Sequence, residues 1–228
     1  MCWGQNAYGQ LGDGTDVFSR SPPAAVVGLT DAVQITAGYN HTCARRASGS
    51  VVCWGSTGAG LGDGTTLGRN LPVAVLALSD AVEVSAGGTH TCARQSSGTV
   101  VCWGRNIYGE IGDGSRTNRS TPTLVEGLTD ATDIAAGYVH NCARRSSGAV
   151  VCWGHNGDGQ IGDGSLDTLA LTAVAVVGLV DAVEVGAGRG HSCAARSGGD
   201  IVCWGSGYYG QLGVGLSGSL VPVTVLGF

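Results

Sequence analysis

The sequence contains no lysine, only two phenylalanines and one methionine, and charged residues make up just 13% of its 228 positions. Its twelve arginines are scattered and the formal net charge is -5, so the chain lacks the basic patch or stripe that marks a nucleic-acid-binding surface. No apolar run approaches the length of a bilayer-spanning helix, and the first residues have neither the basic start nor the apolar core of a signal peptide. We therefore expect no nucleic-acid binding and no membrane insertion.

The chain also lacks the patterns of helices and of enzymes. Apolar residues do not recur with the helical period. A Gly-x-Ser-x-Gly elbow, a phosphate-cradling Gly-x-x-x-x-Gly-Lys loop and a His-Glu-x-x-His motif are all missing. Acids and histidines recur at repeated positions, whereas an active site normally breaks a repeat at one place. We predict a protein without enzymatic activity and without a cofactor.

What the sequence has in abundance is glycine, with 41 residues, and a repeated unit. The triplet Cys-Trp-Gly recurs at spacings of 51, 49, 50 and 51 residues, with its tryptophan at Trp3, Trp54, Trp103, Trp153 and Trp204. A period of this length is typical of a solenoid, a propeller or an array. Before each of the last four triplets the chain predicts a β-hairpin, with one arm through His-x-Cys-Ala, a Ser-Gly or Gly-Gly turn, and a second arm that ends in Cys-Trp-Gly.

Each period holds four short strands, which is the pattern of one propeller blade. Besides the two hairpin arms, the first period contains an alternating strand at 31–38 and the proline-led segment 22–29, which we interpret as an outer strand because edges tolerate proline. We predict an all-β fold, a single-domain β-propeller that forms a partial or open ring. Its parts are a half-blade at 1–29 and four full blades at 30–78, 79–128, 129–179 and 180–228. Because the chain starts inside a repeat, we expect an upstream hairpin arm to be missing.

The repeat carries three motifs: Trp-Gly-x-Asn-x-x-Gly-Gln-Leu-Gly-Asp-Gly, then proline with Val-Val, then Ala-Gly-x-x-His-Thr-x-Ala. Together they resemble the repeat of the regulator of chromosome condensation family, here in a cysteine-rich, bacterial-type variant. The resemblance covers essentially the whole chain and implies a β-propeller, often of seven blades. It implies no single function, because members include an exchange factor for a small nuclear GTPase, a plant ultraviolet photoreceptor, a secreted bacterial β-lactamase inhibitor and docking platforms. The photoreceptor's tryptophan before the histidine is absent here, so we do not expect photoreception.

Eight cysteines form four pairs, each separated by ten positions with the hairpin turn between them: Cys43 and Cys53, Cys92 and Cys102, Cys142 and Cys152, and Cys193 and Cys203. In an antiparallel hairpin this spacing places the two cysteines opposite each other, near the separation that a disulfide needs. We predict four disulfides within hairpins, and we predict that Cys2 is unpaired. Such regular pairing indicates an oxidising compartment, hence a secreted or cell-surface location.

Two other interpretations of these cysteines stay open. His41 and Cys43 share a strand face and lie across from Cys53, which offers three soft ligands for zinc but no fourth. The cysteines could also be buried free thiols. The resemblance favours a structural histidine, since it occurs in family members without these cysteines. We therefore predict no metal site, and structural roles for His41, His90, His140 and His191.

Two more repeated residue types have both a structural and a binding interpretation. The tryptophans are expected to pack between neighbouring blades and not to form a ligand cage. Aspartates in Gly-Asp-Gly turns could bind calcium or cap the turn, and we favour the turn because further oxygen ligands are missing nearby. The one histidine outside the repeat pattern, His155, is expected to be a solvated loop residue.

The residues that differ between copies are the candidates for recognition. They lie in loops, and tyrosine and arginine on a rigid scaffold are typical of protein-binding surfaces. Loops that bind nothing are the alternative, because single exposed aromatics are common. The candidate partner-binding residues are Tyr8, Phe18, Tyr39, Asn40, Arg69, Tyr108, Arg116, Tyr138, Arg189, Tyr208 and Tyr209.

The sequence thus predicts a non-catalytic binding module, secreted or on the cell surface, that presents variable loops to a protein partner as an inhibitor or adhesin does. One alternative is a structural array that forms homo-oligomers through the open half-blade, because unpaired strand edges invite partners. The other is guanine-nucleotide exchange on a small GTPase, which four oxidised hairpins disfavour.

Overall fold

The computed structural model describes residues 1–56 and 58–226. Thr57 of the predicted blade 30–78 and the last two residues of the predicted blade 180–228 lie outside the described residues. Within these ranges the chain forms strands, turns and bends without a helix, and hence no helix long and apolar enough to cross a membrane. The predicted all-β class is therefore confirmed. The strands are β1 Cys2–Gln5, β2 Ser19–Ala24, β3 Ala32–Ala37, β4 His41–Arg46, β5 Val51–Gly55, β6 Arg69–Ala74, β7 Ala81–Ala86, β8 His90–Gln95, β9 Val100–Gly104, β10 Arg119–Leu124, β11 Ala131–Ala136, β12 His140–Arg145, β13 Val150–His155, β14 Leu169–Ala175, β15 Ala182–Ala187, β16 His191–Arg196, β17 Ile201–Gly205 and β18 Ser219–Thr224.

The strands form four antiparallel sheets of four strands and one of two strands. Each four-stranded sheet follows chain order from inside to outside: β3 to β6, β7 to β10, β11 to β14 and β15 to β18. The first strands of neighbouring sheets face one another, so they lie innermost. The sheets are consecutive blades of an open propeller, as predicted.

The predicted hairpins sit at the centre of each blade. In the first, β4 pairs with β5 so that Cys43 lies directly opposite Cys53, and Gly49 closes the turn with a φ of 86°. A positive φ favours glycine, because a side chain would clash with the backbone. The Ser-Gly and Gly-Gly turns of the other repeats place their cysteines opposite each other in the same way.

The outer strand is misplaced in the sequence prediction for 22–29. Strand β2 begins earlier, at Ser19, and ends at Ala24, while Val26 is buried in the turn that follows and Gly28 has a φ of 69°. The proline does not start the outer strand but lies inside it. In β10, Pro122 falls where the register with β9 shifts, on the edge strand, so its missing N–H breaks no ladder bond.

The core lies between blades. One cluster combines Val51 and Leu78 with Val84 and Trp103 of the following blade, and equivalent clusters recur along the arc. The small innermost alanines and the buried indoles interlock across each gap. Each blade is therefore stable only against a neighbour, as repeat architectures require.

The first two strands form a sheet of their own, β1 with β2, and the face next to it is open in the described chain. Ile35 of β3 is 55% exposed, whereas its equivalent Val84 is 2% exposed. Trp3 is 63% exposed, whereas Trp54 is fully buried. The exposure of Ile35 and Trp3 shows how much apolar surface is covered where a neighbouring blade is present.

All four predicted disulfides are present, with Cα atoms 4.0–4.1 Å apart, and Cys2 is a free thiol. Such close Cα atoms are typical of opposed residues without mutual backbone hydrogen bonds, where side chains approach most closely. Seven of the eight paired cysteines are buried and Cys193 is half-buried, and the first three disulfides belong to the core between blades.

We predict that intact-mass analysis after alkylation in denaturant without reductant will show one modified thiol, at Cys2. Denaturant is used because burial raises the pKa of the Cys2 thiol, which slows its reaction in the folded protein. The same protein reduced first should carry nine alkyl groups, one for each cysteine. Nine groups without reduction would mean that the hairpins are not oxidised.

Candidate functional site

The tips of the inner hairpins converge on the propeller axis. In each blade the first and second strands are joined through a tight turn, in which the Gly38 amide, for example, donates to the His41 carbonyl at 2.8 Å. The tip residues after the glycine are Tyr39, Gly88, Tyr138 and Arg189, and with their glycines they line a cavity of about 430 Å³. We call these four tips the axial platform.

Backbone hydrogen bonds tie the tips to one another. The Tyr39 amide donates to the Gly88 carbonyl at 3.2 Å, the Gly88 amide to the Tyr138 carbonyl at 3.1 Å, and the Tyr138 amide to the Gly188 carbonyl at 3.1 Å. A side chain at position 88 would meet the Tyr138 ring at 2.7 Å, so glycine leaves the room that this ring occupies. The platform is therefore a rigid surface and not a set of free loops.

A buried histidine behind each of the first three tips connects neighbouring blades, whereas His191 behind the fourth tip is half-buried. The Nε2 atom of each buried histidine bonds a polar side chain of the next blade: His41 to Thr91 at 2.8 Å, His90 to Asn141 at 2.8 Å, and His140 to Ser192 at 2.9 Å. Asn141 in turn donates to the Glu110 carbonyl, and Ser192 to the Gln160 carbonyl. We call this chain of hydrogen bonds the histidine joint.

The hydrogen bonds of the joint fix which nitrogen carries the proton on His90 and His140. Because Asn141 donates through its amide nitrogen to Glu110, its oxygen accepts from Nε2 of His90, which therefore carries the proton. Burial lowers the pKa of His41 and His140 to about 3 and that of His90 to about 4. The three imidazoles are therefore neutral at pH 7, in agreement with the structural role predicted for them.

The glycine before each tip is required by the histidine. A Cβ on Gly137 would lie 2.4 Å from the His140 ring and 2.6 Å from the Gly188 carbonyl of the next blade. Neither neighbour can move away, since the ring is held by the joint and the carbonyl by the platform. The glycine and the histidine of the Ala-Gly-x-x-His motif are thus both required by the contact between neighbouring blades.

We predict that Gly137→Ala lowers the free energy of unfolding by about 1–3 kcal/mol, because it overpacks this contact. Gly186→Ala is the matched control, since its Cβ would meet no atom within 4 Å. The control should be neutral or slightly stabilising, because alanine restricts the unfolded chain more than glycine does. Urea unfolding of both variants measures the difference, and equal values would contradict the assigned role of the glycine.

The joint also predicts acid sensitivity. Unfolded histidines bind protons near pH 6.5, but the folded joint does so only near pH 3 to 4, so stability is fully present above pH 6.5 and declines as the pH falls below it. Each histidine contributes a slope of about 1.4 kcal/mol per pH unit in this window. Glu83 and Glu110, whose pKa burial raises, titrate in the opposite sense and reduce the total slope.

The test compares wild-type protein with His90→Gln, which keeps a donor for Asn141 but removes one titrating ring. We expect the slope of the unfolding free energy between pH 6.5 and 4.5 to fall by about 1.4 kcal/mol per pH unit in the variant. Urea titrations at four pH values give both slopes. An unchanged slope would show that His90 takes up its proton in the folded state.

A second set of loop tips follows the third strand of each blade. Here Gln10, Glu110, Gln160 and Gln211 turn back, and each accepts the backbone N–H two residues earlier, at 2.7–2.9 Å. This bond holds Tyr8, Tyr108, Asp158 and Tyr209 at equivalent positions. Glu110 stands where three other copies have glutamine and one has Gly60, and burial raises the pKa of its carboxyl.

Between the two sets of tips runs a groove of about 740 Å³, which we call the tyrosine groove. Its walls include Arg105, Tyr108, Tyr138, His155, Arg189 and Tyr209. The Tyr108 ring meets the His155 ring edge-on at 5.0 Å, and Arg105 lies 5.3 Å from the centre of the Tyr108 ring. On the other side, Arg189 lies 5.6 Å from the centre of the Tyr138 ring, which meets Tyr39 edge-on at 5.9 Å.

The structure brings six of the eleven predicted recognition residues to this face. Tyr39, Tyr138 and Arg189 belong to the axial platform, and Tyr108, Tyr138, Arg189, Tyr208 and Tyr209 line the tyrosine groove. Together these residues make a continuous surface, because Tyr138 and Arg189 line both cavities.

The other five candidates lie apart from the groove or serve the fold. Tyr8 and Arg69 line a separate cavity, where Arg69 also pairs with Asp63 at 2.9 Å. The guanidinium of Arg116 donates to the Ile107 carbonyl at 2.8 Å, and Phe18 is exposed. The Asn40 carbonyl accepts the Ser56 amide at 2.8 Å. Their part in binding stays a prediction.

Arg105 and His155 belong to the groove but were not predicted to. Both occupy the position directly after Cys-Trp-Gly, where the other copies have Gln5, Ser56 and Ser206. His155 is not a solvated loop residue, because its Nδ1 accepts from the Gly157 amide at 3.3 Å and its ring packs on Tyr108. The variation between copies at this position could have identified both residues as recognition candidates.

The Gly-Asp-Gly turns use their aspartates internally. Asp113 accepts the Ser115 amide and hydroxyl at 3.0 and 2.8 Å and pairs with Arg119. Burial alone would raise the pKa of Asp113, but these hydrogen bonds and the guanidinium hold it below its usual value. In the described part of the chain, no group of three His, Cys, Asp or Glu side chains could hold a metal ion.

Four of the five tryptophans are buried where described blades meet, as predicted, whereas Trp3 is exposed. Trp54 donates to the Gln10 carbonyl at 2.8 Å, and a side chain at Gly12 would collide with its ring. Trp153 and Trp204 make the same bond with Glu110 and Gln160. The indoles thus pack each blade against the preceding glycine-rich turn.

Two family models, both described as the regulator of chromosome condensation (RCC1) repeat, match the chain. One matches residues 2–45 and 97–144, and the other matches residues 32–60, 81–110, 131–160 and 182–211. The second alone matches more than half of the sequence. The chain therefore belongs to the RCC1 repeat family.

The curated relatives match this chain over a segment about as long as one repeat. The chain is 40% identical over 57 residues to the human probable E3 ubiquitin-protein ligase HERC4, which is 24% of this chain and 5% of that protein. It is 44% identical over 57 residues to the regulator of chromosome condensation of Xenopus laevis, which is 25% of this chain and 13% of that protein. The chain spans only a small part of these relatives.

Solved structures confirm the propeller fold. Human WBSCR16 superposes with a TM-score of 0.86 at 21% identity, over 99% of this chain and 62% of that one. Yeast RCC1 (Prp20), solved bound to Kap60, gives 0.86 at 22% identity, over 99% of this chain and 59% of that one. At such identities the likeness establishes the fold and nothing about partners.

Proposed function

We propose that this chain is a non-catalytic protein-binding module, secreted or on the cell surface, that presents the axial platform and the tyrosine groove to a protein partner. The observation that carries the proposal is the continuous surface of tyrosines and arginines on tips held by backbone hydrogen bonds. A rigid surface of this composition gives contact area at a small entropic cost. An inhibitor or an adhesin uses such a surface.

The four disulfides support the proposed location. Buried cross-strand disulfides persist in oxidising compartments and are rare in reducing ones. Yeast RCC1 has been solved with Kap60, and Prp20p of Saccharomyces cerevisiae has been studied for its binding to Gsp1p and histones. Nucleotide exchange on a GTPase is the second proposal for this chain, and the disulfides fit it less well.

The test places a photocrosslinking residue, p-benzoylphenylalanine, at Tyr138 on the face. The control has it at Leu124, a 58% exposed residue of the outer strand β10. We expect covalent adducts with a protein of the producing cell's surface or medium at position 138 only. Excess unlabelled wild-type protein should suppress them, and excess Tyr39→Ala/Tyr138→Ala/Arg189→Ala protein should not.

Adducts of equal yield at both positions, or equal suppression by both competitors, would refute the proposed face. Light scattering on the same samples addresses the alternative of a self-assembling array, for which the exposed Trp3 and Ile35 are the relevant surface. Oligomers whose adducts join two copies of this chain would favour that alternative.

A further inference from the structure

Both arginines that line the tyrosine groove lack, in the described part of the chain, the ion pair that most arginines of this chain make. Within the described residues, seven arginines pair with carboxylates: Arg20, Arg46, Arg69, Arg94, Arg119, Arg145 and Arg196. No described carboxylate pairs with Arg105 or Arg189, although the chain as a whole is acidic, with a net charge of -5. Two guanidinium groups that make no ion pair with a described residue therefore line one groove.

Both guanidinium groups lie against tyrosine rings, Arg105 on Tyr108 and Arg189 on Tyr138. An arginine held against an aromatic ring keeps its N–H groups available for a planar acceptor such as a carboxylate. The rings also reduce the conformational entropy that each arginine would lose on binding. The two cations are thus positioned in advance for an anionic ligand.

The groove is rich in hydrogen-bond donors. His155 accepts through Nδ1 from the Gly157 amide, which leaves Nε2 as its N–H donor. Tyrosine hydroxyls at 108, 138, 208 and 209 can add donors along the walls. Asp158 is the one carboxylate among the groove's lining residues, and its exposed side chain lies beside Gly190. Such a surface favours a ligand that supplies several acceptors.

We propose that the tyrosine groove binds an acidic segment of a protein partner, whose carboxylates accept hydrogen bonds from Arg105 and Arg189. The inference rests on the proposed binding function and specifies its partner. A polyphosphate chain such as nucleic acid fits less well, because two cations beside Asp158 on an acidic protein cannot neutralise many phosphates. The volume of about 740 Å³ accommodates a peptide segment with aromatic walls on both sides.

The test measures fluorescence anisotropy with a labelled octaglutamate peptide as the probe, at low salt. Octaglutamine is the uncharged control, and a nine-residue thymidine oligonucleotide supplies eight negative charges on phosphate. We expect octaglutamate to bind more tightly than both, and its affinity to fall with added salt because the contacts are ionic. Binding of the oligonucleotide at equal or greater affinity would overturn the assignment to an acidic protein segment.

Variants then locate the binding. Arg105→Gln and Arg189→Gln should each weaken octaglutamate binding about tenfold, as expected for loss of one charge-assisted contact. Arg196→Gln makes the same change of charge at the other end of β16, beside Asp181, and should leave affinity within about twofold. Equal losses in all three variants, or no binding by the wild type, would overturn the inference.

Failure of this proposal and failure of the binding function are distinguishable. Crosslinks at Tyr138 without octaglutamate binding would leave the binding function standing and remove its acidic partner. The arginines lie at exposed or half-exposed tips, so folding of the variants is verified by their four protected disulfides and unchanged unfolding midpoints.

Discussion

The structure depends on the histidine joint between neighbouring blades. A neutral imidazole from one blade, a hydroxyl or amide from the next and a loop carbonyl form one buried chain of hydrogen bonds. A buried polar group without a partner is costly, so this chain permits one relative position of the two blades. The glycine beneath each ring extends the constraint, since its missing Cβ lets the next blade's carbonyl approach.

The joint explains why recognition residues are free to vary. Each tip directly follows the glycine of the joint, and its backbone is fixed by bonds to the neighbouring tips. Position 88 requires glycine because the Tyr138 ring occupies the space of its side chain. The side chains of Tyr39 and Arg189 both pack on the Tyr138 ring. The scaffold therefore holds constant geometry while the surface changes from copy to copy.

Much of the fold could be predicted because the repeat displays it four times. The ten-residue spacing of the cysteines determined the hairpin register, and the recurrence of Trp54 and its equivalents indicated packing between blades. The outer strand was misplaced because proline was taken as a start signal. On an edge strand with a shifted register, Pro122 costs no hydrogen bond and can lie inside the strand.

The groove could not be predicted in the same way. Arg105 precedes Tyr108 by three residues, but His155 and Arg189 come from the following blades, and only the curvature of the arc brings them together. Sequence variation identified Tyr108 and Tyr138 as candidates without indicating that they share a groove. It overlooked Arg105, because a single arginine after Cys-Trp-Gly resembles any solvated loop residue.

The unpaired charges of the groove, and not only its content of tyrosine and arginine, indicate a binding surface. On a chain with 17 acids and 12 basic residues, an arginine is expected to find a carboxylate, and most here do. Leaving Arg105 and Arg189 against tyrosine rings forgoes two ion pairs, although exposed pairs stabilise a fold by only about 0–1 kcal/mol. The same two cations stabilise a complex more strongly once a partner excludes water from the groove, because the effective dielectric falls. Unpaired arginines on a rigid aromatic surface are therefore a small cost to folding and a large potential gain for binding.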